Sequence, residues 1–344
     1  MASFVPGLAL NAAFYEEVVG PLLAGWPHAA ARIGDGSDVL GFDTPRSTDH
    51  GWGPQLVVFV EADAMPQARK AVDTGLPAEF RGWPVRYGWD DVAVAHHVEV
   101  TTLPMWLIGH LGVDASASAG IAEADWLLMP QQKLLEVTAG AVYHDDQGDL
   151  TRTRAALAWY PDDVWRWLLA AQWRRVAEEE AFVGRAADVG DDLGARLVIG
   201  RLARELMRVW FLLSRAYWPY TKWFGTAFSH LSGSAELGAR LERSMAATTQ
   251  PEREAALLEA AELVARCHNE TGLTEPVEPV ARPFYSRPWR VLGSERLVDA
   301  CLGSLGDSWL RRLPLVGSVD QVADSTDLLS HGQRSRLLSA LYQV

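Results

Sequence analysis

The sequence predicts an α+β protein, with a small α/β head over residues 1–115 followed by a larger all-helical domain. Three observations carry that prediction. The short apolar run Gln55 to Glu61 has strand character and lies between two helical patterns. From about residue 122 onward, apolar residues recur at three- and four-residue steps with little strand signal. Residues 275–290 contain four prolines and must be extended or turning, so they wrap a surface and do not join a helix.

Residues 8–24 place Leu10, Phe14, Val18 and Leu22 at helical spacing, which opens the fold with an amphipathic helix. Residues 31–53 are rich in Gly, Asp, Ser and Thr, too polar for a core element and too punctuated for a helix. After the strand at 55–61 comes a helical stretch at 64–73, then strand-like segments at Val85–Tyr87 and His97–Thr101. Helical periodicity marks 125–141, 161–183, 191–216, 235–247 and 251–269. Pro161 with Asp162 and Asp163 suits a helix start, where proline fits and acids meet the positive end of the dipole. A last helical stretch runs from 293. The expected division is a head at 1–115, a helical domain at 120–250, and a helical extension at 251–344 that holds the proline-rich segment.

The chain has 344 residues, 49% of them hydrophobic and 22% charged, which is ordinary globular composition. Its 44 acidic and 31 basic residues give a formal charge of -13, so a long polyanion such as DNA or RNA is a poor partner. Small nucleotides stay open, because bound cations neutralise their phosphates. Cys267 and Cys301 form neither a disulfide framework nor a metal-type spacing, and read as buried thiols in a reducing compartment. Residues 1–10 lack a basic region and a sustained apolar run, and no uncharged apolar stretch reaches the ~18 residues of a membrane span. A soluble, cytoplasmic protein without membrane contact is expected, and nothing in the sequence speaks to oligomeric state. The fifteen tryptophans are expected in the core or in pocket walls.

The chemistry is concentrated between Arg32 and Gly53, R-I-G-D-G-S-D-V-L-G-F-D-T-P-R-S-T-D-H-G-W-G. No Walker A lysine is present, and Val39 occupies the third glycine position of a dinucleotide fingerprint. What remains is Gly36-Ser37, a short loop, and an acidic residue, Asp49, leading into an apolar strand. Glycine lets backbone approach a phosphate, and a serine hydroxyl with neighbouring N–H groups donates to its oxygens. An aspartate at the head of the strand suits Mg²⁺, which takes carboxylate and phosphate oxygens together. Two aspartates at i and i+2 would share one strand face and two metals, with a third carboxylate from a neighbouring strand as base or ligand. Glu99 is the candidate for that third position. Asp35, Asp38 and Asp43 read as turn residues or as substitute ligands, and His50 as a structural residue facing away from Asp49.

This segment resembles the Gly-Ser and Asp-x-Asp signature of the polymerase-β-like nucleotidyltransferase superfamily. More narrowly, the chain resembles the family catalogued as domain of unknown function 4037. The likeness runs through GDGSDVLGFDTPRSTDH at 34–50, YPDDVWRWLLAAQW at 160–173, EEAFVGRAADVGDDLG at 179–194, YWPYTKWFGTAF at 217–228 and LPLVGSVDQ at 313–321. In such proteins the strand approach usually reads Ser-Thr-Asp-His-Asp-Trp-Gly-Pro, whereas here Gly51 stands where the second aspartate belongs. The resemblance implies a polymerase-β-type head that binds Mg²⁺ and a nucleoside triphosphate and transfers a nucleoside monophosphate to a hydroxyl of a small-molecule acceptor. Ser37 would hold phosphate, Asp49 the metal, and Glu99 would act as ligand or base.

The stretch 199–215 carries a core stripe of Ile199, Leu202, Leu206, Val209 and Leu213, with Arg201, Arg204, Arg208 and Arg215 within a narrow arc opposite. Arginine forks suit phosphate oxygens, while a solvated face partnered by Glu205 is the plainer alternative. Pro219 ends or kinks this helix and leaves Lys222 among aromatics, in a placement similar to the triphosphate-binding lysine of antibiotic-modifying nucleotidyltransferases. Three functions follow: a transferase; a degenerate member, motivated by Gly51, that binds a nucleotide or a partner protein without turnover; and a helical scaffold whose head only packs.

Overall fold

The computed structural model describes residues 3–343, and the fold is mixed α+β. The chain divides into two compact units. One comprises Met1–Asp125, Lys133–Ala158 and Ser330–Arg336; the other comprises Trp126–Gln132, Trp159–Leu329 and Leu337–Val344.

The α/β unit is built on five strands: β1 (His28–Arg32), β2 (Gln55–Val60), β3 (Arg86–Trp89), β4 (Val92–Thr101) and β5 (Ala141–Asp145), in the order β3-β4-β2-β1-β5. Only β2 and β4 run parallel, with Val57 opposite Glu99; the other pairs are antiparallel. Both faces of β2 are covered. Leu56, Val58 and Val60 meet α1 (Gly7–Phe14) and α2 (Met65–Gly75) in a core that includes Leu10, Phe14, Val72 and Val98. On the opposite face Phe59 meets the edge of Trp106, from α3 (Leu103–Leu111). Side-chain alternation along β2 produces this two-sided burial.

Two expectations change here. The helix expected over 8–24 is α1, a π-helical turn at Tyr15–Val19, and a last turn at Gly20–Leu23. The head does not end at 115, because β5 closes the sheet beside β1 and Gly332–Ser335 packs on α3. The expected 120–250 and 251–344 boundaries do not separate units either. Residues 159–329 lie in one unit.

That second unit is helical. Its helices are α5 (Asp162–Glu179), α6 (Asp192–Leu213), α7 (Thr221–Ser229), α8 (Ser234–Ala246) and α9 (Gln250–Glu270), whereas α4 (Gln131–Thr138), which precedes β5, lies mostly in the α/β unit. Helix α5 starts at Pro161 with Asp162 and Asp163 in its first turn. Asp191 caps α6 by accepting from Gly194 N–H, and Thr249 with Glu252 forms a capping box on α9. Trp167 and Trp173 are fully buried on α5, and Trp165 donates to Leu212 O of α6 at 2.9 Å. Among the described residues, no helix is long and apolar enough to cross a membrane.

Candidate functional site

The Gly-Ser turn follows β1 and is held from beneath by a buried ion pair. Arg32 Nε and Nη2 each donate to Asp38 at 2.7 Å, with both side chains out of solvent. The remaining donors fix the loop backbone, Nη1 on Ile33 O at 3.0 Å and Nη2 on Asp35 O at 2.7 Å. Gly36 lies at φ +142°, and a Cβ there would stand 2.2 Å from Arg32 Nη2 and 2.3 Å from Asp38 Oδ1. Glycine is therefore required at this position by the ion pair itself. Ser37 is half-buried, and among the described residues its hydroxyl has no hydrogen-bond partner.

Asp43 has a different task. It accepts from Gly7 N–H at 2.7 Å, at the start of α1, and from Trp52 Nε1 at 3.0 Å. A carboxylate satisfies free N–H groups at a helix start. Asp38 and Asp43 are thus committed to the scaffold and do not replace a missing ligand. Asn11, fully buried, accepts from Gln55 N–H at 2.7 Å and donates to Gly53 O at 3.4 Å, which clamps the approach to β2.

Asp49 is not at the head of the strand. Thr44 and Ser47 cap a 3-10 turn at Pro45–Asp49, and β2 begins only at Gln55, past the left-handed Gly51 and the Gly53-Pro54 bend. Asp49 is exposed, and its Oδ1 lies 2.7 Å from His50 Nδ1, so the two side chains meet and do not face apart. Strand alternation does not apply in a 3-10 turn. Gly51 has φ +62°, and a Cβ there would lie 3.6 Å from the Trp89 ring. Trp89 and Tyr87 flank His97, with ring centroids 5.1 and 4.3 Å from it.

Glu99 is exposed on β4, two residues from His97, and among the described residues it takes no hydrogen bond. Desolvation raises its pKa, against the pull of His110 and Arg69. The structure brings Asp35, not Asp49, into a charged cluster near it. Lys133 Nζ of α4 lies 3.0 Å from Asp35 Oδ1 and 2.7 Å from Glu136 Oε2, and His110 Nε2 lies 2.8 Å from that same oxygen. His110 stacks on Trp106 at 4.4 Å. Desolvation works to raise the Asp35 carboxyl, but the Lys133 ammonium beside it prevails and draws it down to about 2. Lys133 is likewise opposed by desolvation, yet Glu136 and Asp35 raise it. Lys133 and Glu136 stand one turn apart on α4 and His110 comes from α3, and no motif in the sequence ties them to Asp35.

The donor set does not fit the two-metal centre that the resemblance implies. Gly51 offers no ligand atom, and Asp49 is held against His50 on its capped turn. Among the described residues, the three-ligand His/Cys/Asp/Glu cluster lies elsewhere, at His28, His144 and Asp146.

In the helical unit each predicted cation has a partner. Arg201 Nε pairs with Glu179 at 2.9 Å, and Arg204 makes a bidentate pair with Asp324 at 2.6 and 2.7 Å. Arg215 lies past the end of α6, over Trp165. Lys222 is exposed over Trp223. Arg208 is buried, 3.5 Å from Glu205 Oε1 and 5.4 Å from the Trp218 ring centre, and its Nε makes no hydrogen bond among the described residues. Arg204 and Arg208 line one recess with Trp218, Tyr220 and Asp320, and Lys222 is not in it.

Asp320, which follows a late Gly317-Ser318 pair with no apolar strand after it, is buried and accepts from Gln131 N–H at 3.0 Å. Burial pushes its pKa up to about 7, against that hydrogen bond and Arg208. A carboxyl raised in the folded state favours folding most below its unfolded pKa of about 4. That contribution declines as pH rises and is lost above about 7. Asp320→Asn is therefore expected to flatten the fall in thermal stability of the helical unit between pH 4 and 7, followed by circular dichroism. An unchanged slope would mean that Asp320 stays ionised throughout.

Residues 126–224 match the family described as Domain of unknown function (DUF4037), the family that the sequence motifs resemble. No curated protein matches the chain. Among solved structures, a nucleotidyltransferase-like protein from Exiguobacterium sibiricum 255-15 aligns over 89% of this chain and 91% of its own, with 13% identity and a TM-score of 0.33.

Proposed function

We propose that the α/β unit binds a nucleoside triphosphate at the Gly36-Ser37 turn, and that transfer of a nucleoside monophosphate to a small acceptor is weakened or lost. Gly51 carries this reading. At φ +62° it contributes no carboxylate where the second aspartate of the motif stands, and a Cβ there would lie 3.6 Å from the Trp89 ring. The turn itself keeps what phosphate binding needs: a glycine pinned by the Arg32–Asp38 pair and a serine hydroxyl free to donate. One observation favours the second reading, slow transfer to a hydroxyl: Glu99 is exposed on β4 beside the Asp35 cluster, and its carboxyl is raised from its ordinary value by desolvation, against His110 and Arg69.

Calorimetric titration with each of the four nucleoside triphosphates and Mg²⁺, paired with labelled transfer to an acceptor panel and to the protein itself, separates these readings. Wild type is expected to bind a nucleotide weakly and to transfer little. Gly51→Asp is expected to tighten Mg²⁺-dependent binding, while costing about 1 kcal/mol of stability for a non-glycine residue in the left-handed region. Nucleotide binding by neither form would sink the proposal, and efficient transfer by wild type would establish the second reading.

A further inference from the structure

We propose that His28, His144 and Asp146 form a binding site for a late first-row divalent cation, Zn²⁺ above others, at the β1–β5 edge of the α/β sheet. The site is separate from the Gly-Ser turn and does not depend on nucleotide binding.

The register of the two strands assembles it. Ala29 pairs with Asp145 and Ala30 with His144, so His28 stands opposite Asp146 with His144 diagonally across. Backbone hydrogen bonds fix this end: Asp146 N–H donates to His28 O at 3.1 Å, and His28 N–H donates to Asp146 Oδ2 at 2.9 Å. The imidazole centroids are 4.5 Å apart, and His144 Nε2 lies 3.0 Å from Asp146 Oδ1. One ligand atom from each of the three residues lies within 4.8 Å of the others. Two atoms on one zinc stand about 3.4 Å apart for bonds of about 2.0–2.1 Å, so small side-chain rotations complete the approach.

The surroundings match those of a metal-binding histidine. His28 Nδ1 is 2.9 Å from Trp26 O. A carbonyl only accepts, so Nδ1 carries the proton and Nε2 holds the lone pair, which is the tautomer a metal requires. That lone pair now accepts from the Tyr15 hydroxyl at 2.9 Å. Tyr15 opens the π-helical turn at Tyr15–Val19, a distortion frequent at functional sites. Two imidazoles and one carboxylate prefer zinc and its neighbours to Mg²⁺, and three protein ligands leave a coordination position for water.

The full-length chain, stripped with a chelator, is titrated with Zn²⁺ by calorimetry and with Co²⁺ by visible absorption. One equivalent of Zn²⁺ and a Co²⁺ ligand-field band are expected. His144→Ala and Asp146→Asn should each weaken binding more than about tenfold. Asp146→Asn retains an oxygen for His28 N–H, so its fold should survive. Tyr15→Phe leaves all three ligands in place and should keep the single equivalent, as should Cys267→Ser. Absence of Zn²⁺ binding and of the Co²⁺ band in wild type would overturn the site, as would binding that survives both ligand substitutions.

Discussion

Replacing Asp38 by alanine is expected to destabilise the α/β unit by about 3–5 kcal/mol, the usual loss when one member of a buried ion pair is removed and the other stays. Arg32, 4% exposed, would keep its charge with only the carbonyls of Ile33 and Asp35 for company. Urea denaturation, read separately for each unit, measures the loss. The double substitution Arg32→Met with Asp38→Ala should recover much of it, because no charge is left buried. A loss below about 1 kcal/mol for Asp38→Ala would mean that water reaches Arg32. Since the same guanidinium holds the turn around Gly36, nucleotide affinity should fall with stability.

The second large effect is expected in the helical unit. Glu205, 3% exposed, accepts from Gln172 Nε2 at 2.5 Å and Arg175 Nε at 3.2 Å, and lies 3.5 Å from Arg208 Nη1. Desolvation opposes its charge, but Arg208 and Arg175 prevail and lower its pKa. Its contribution is therefore present above the unfolded carboxyl pKa of about 4.3 and is lost as pH falls through the lower folded value. Glu205→Ala leaves Arg208 buried without its neighbouring carboxylate and should cost about 3–5 kcal/mol in urea denaturation at neutral pH. Arg201→Ala, which breaks a pair on a half-exposed surface, should cost less than about 1 kcal/mol. Equal losses for the two would show that Glu205 is solvated.

The long helices were legible because their burial follows period 3.6 over many turns, as in α6 and α9. Strands β1 and β5 were not. His-Ala-Ala-Ala-Arg has weak strand propensity and is buried throughout, so it shows no alternation. The Gly-Ser turn was readable because its glycine requirement is local. Asp49 was misplaced because the Thr44–Ser47 cap and the glycines at 51 and 53 delay the strand to Gln55. Arg32 and Asp38 lie six residues apart, yet a sequence does not reveal that their charges are turned inward. The His28–His144–Asp146 cluster depends on the pairing of β1 with β5, across more than a hundred residues.

The discontinuous α/β unit also bears on how the protein emerges from the ribosome. Strand β1 keeps one open edge until residues 141–145 have been made. The turn at Gly332–Ser335, which packs on α3, follows the whole of 159–329 in synthesis. Domains generally fold as units in order of synthesis, but here the unit translated first is finished only after residues 159–329 of the helical unit have been made. The nascent α/β unit therefore has an unpaired strand edge until residue 145 and an uncovered α3 until residue 335, and this interval is when a chaperone would be needed.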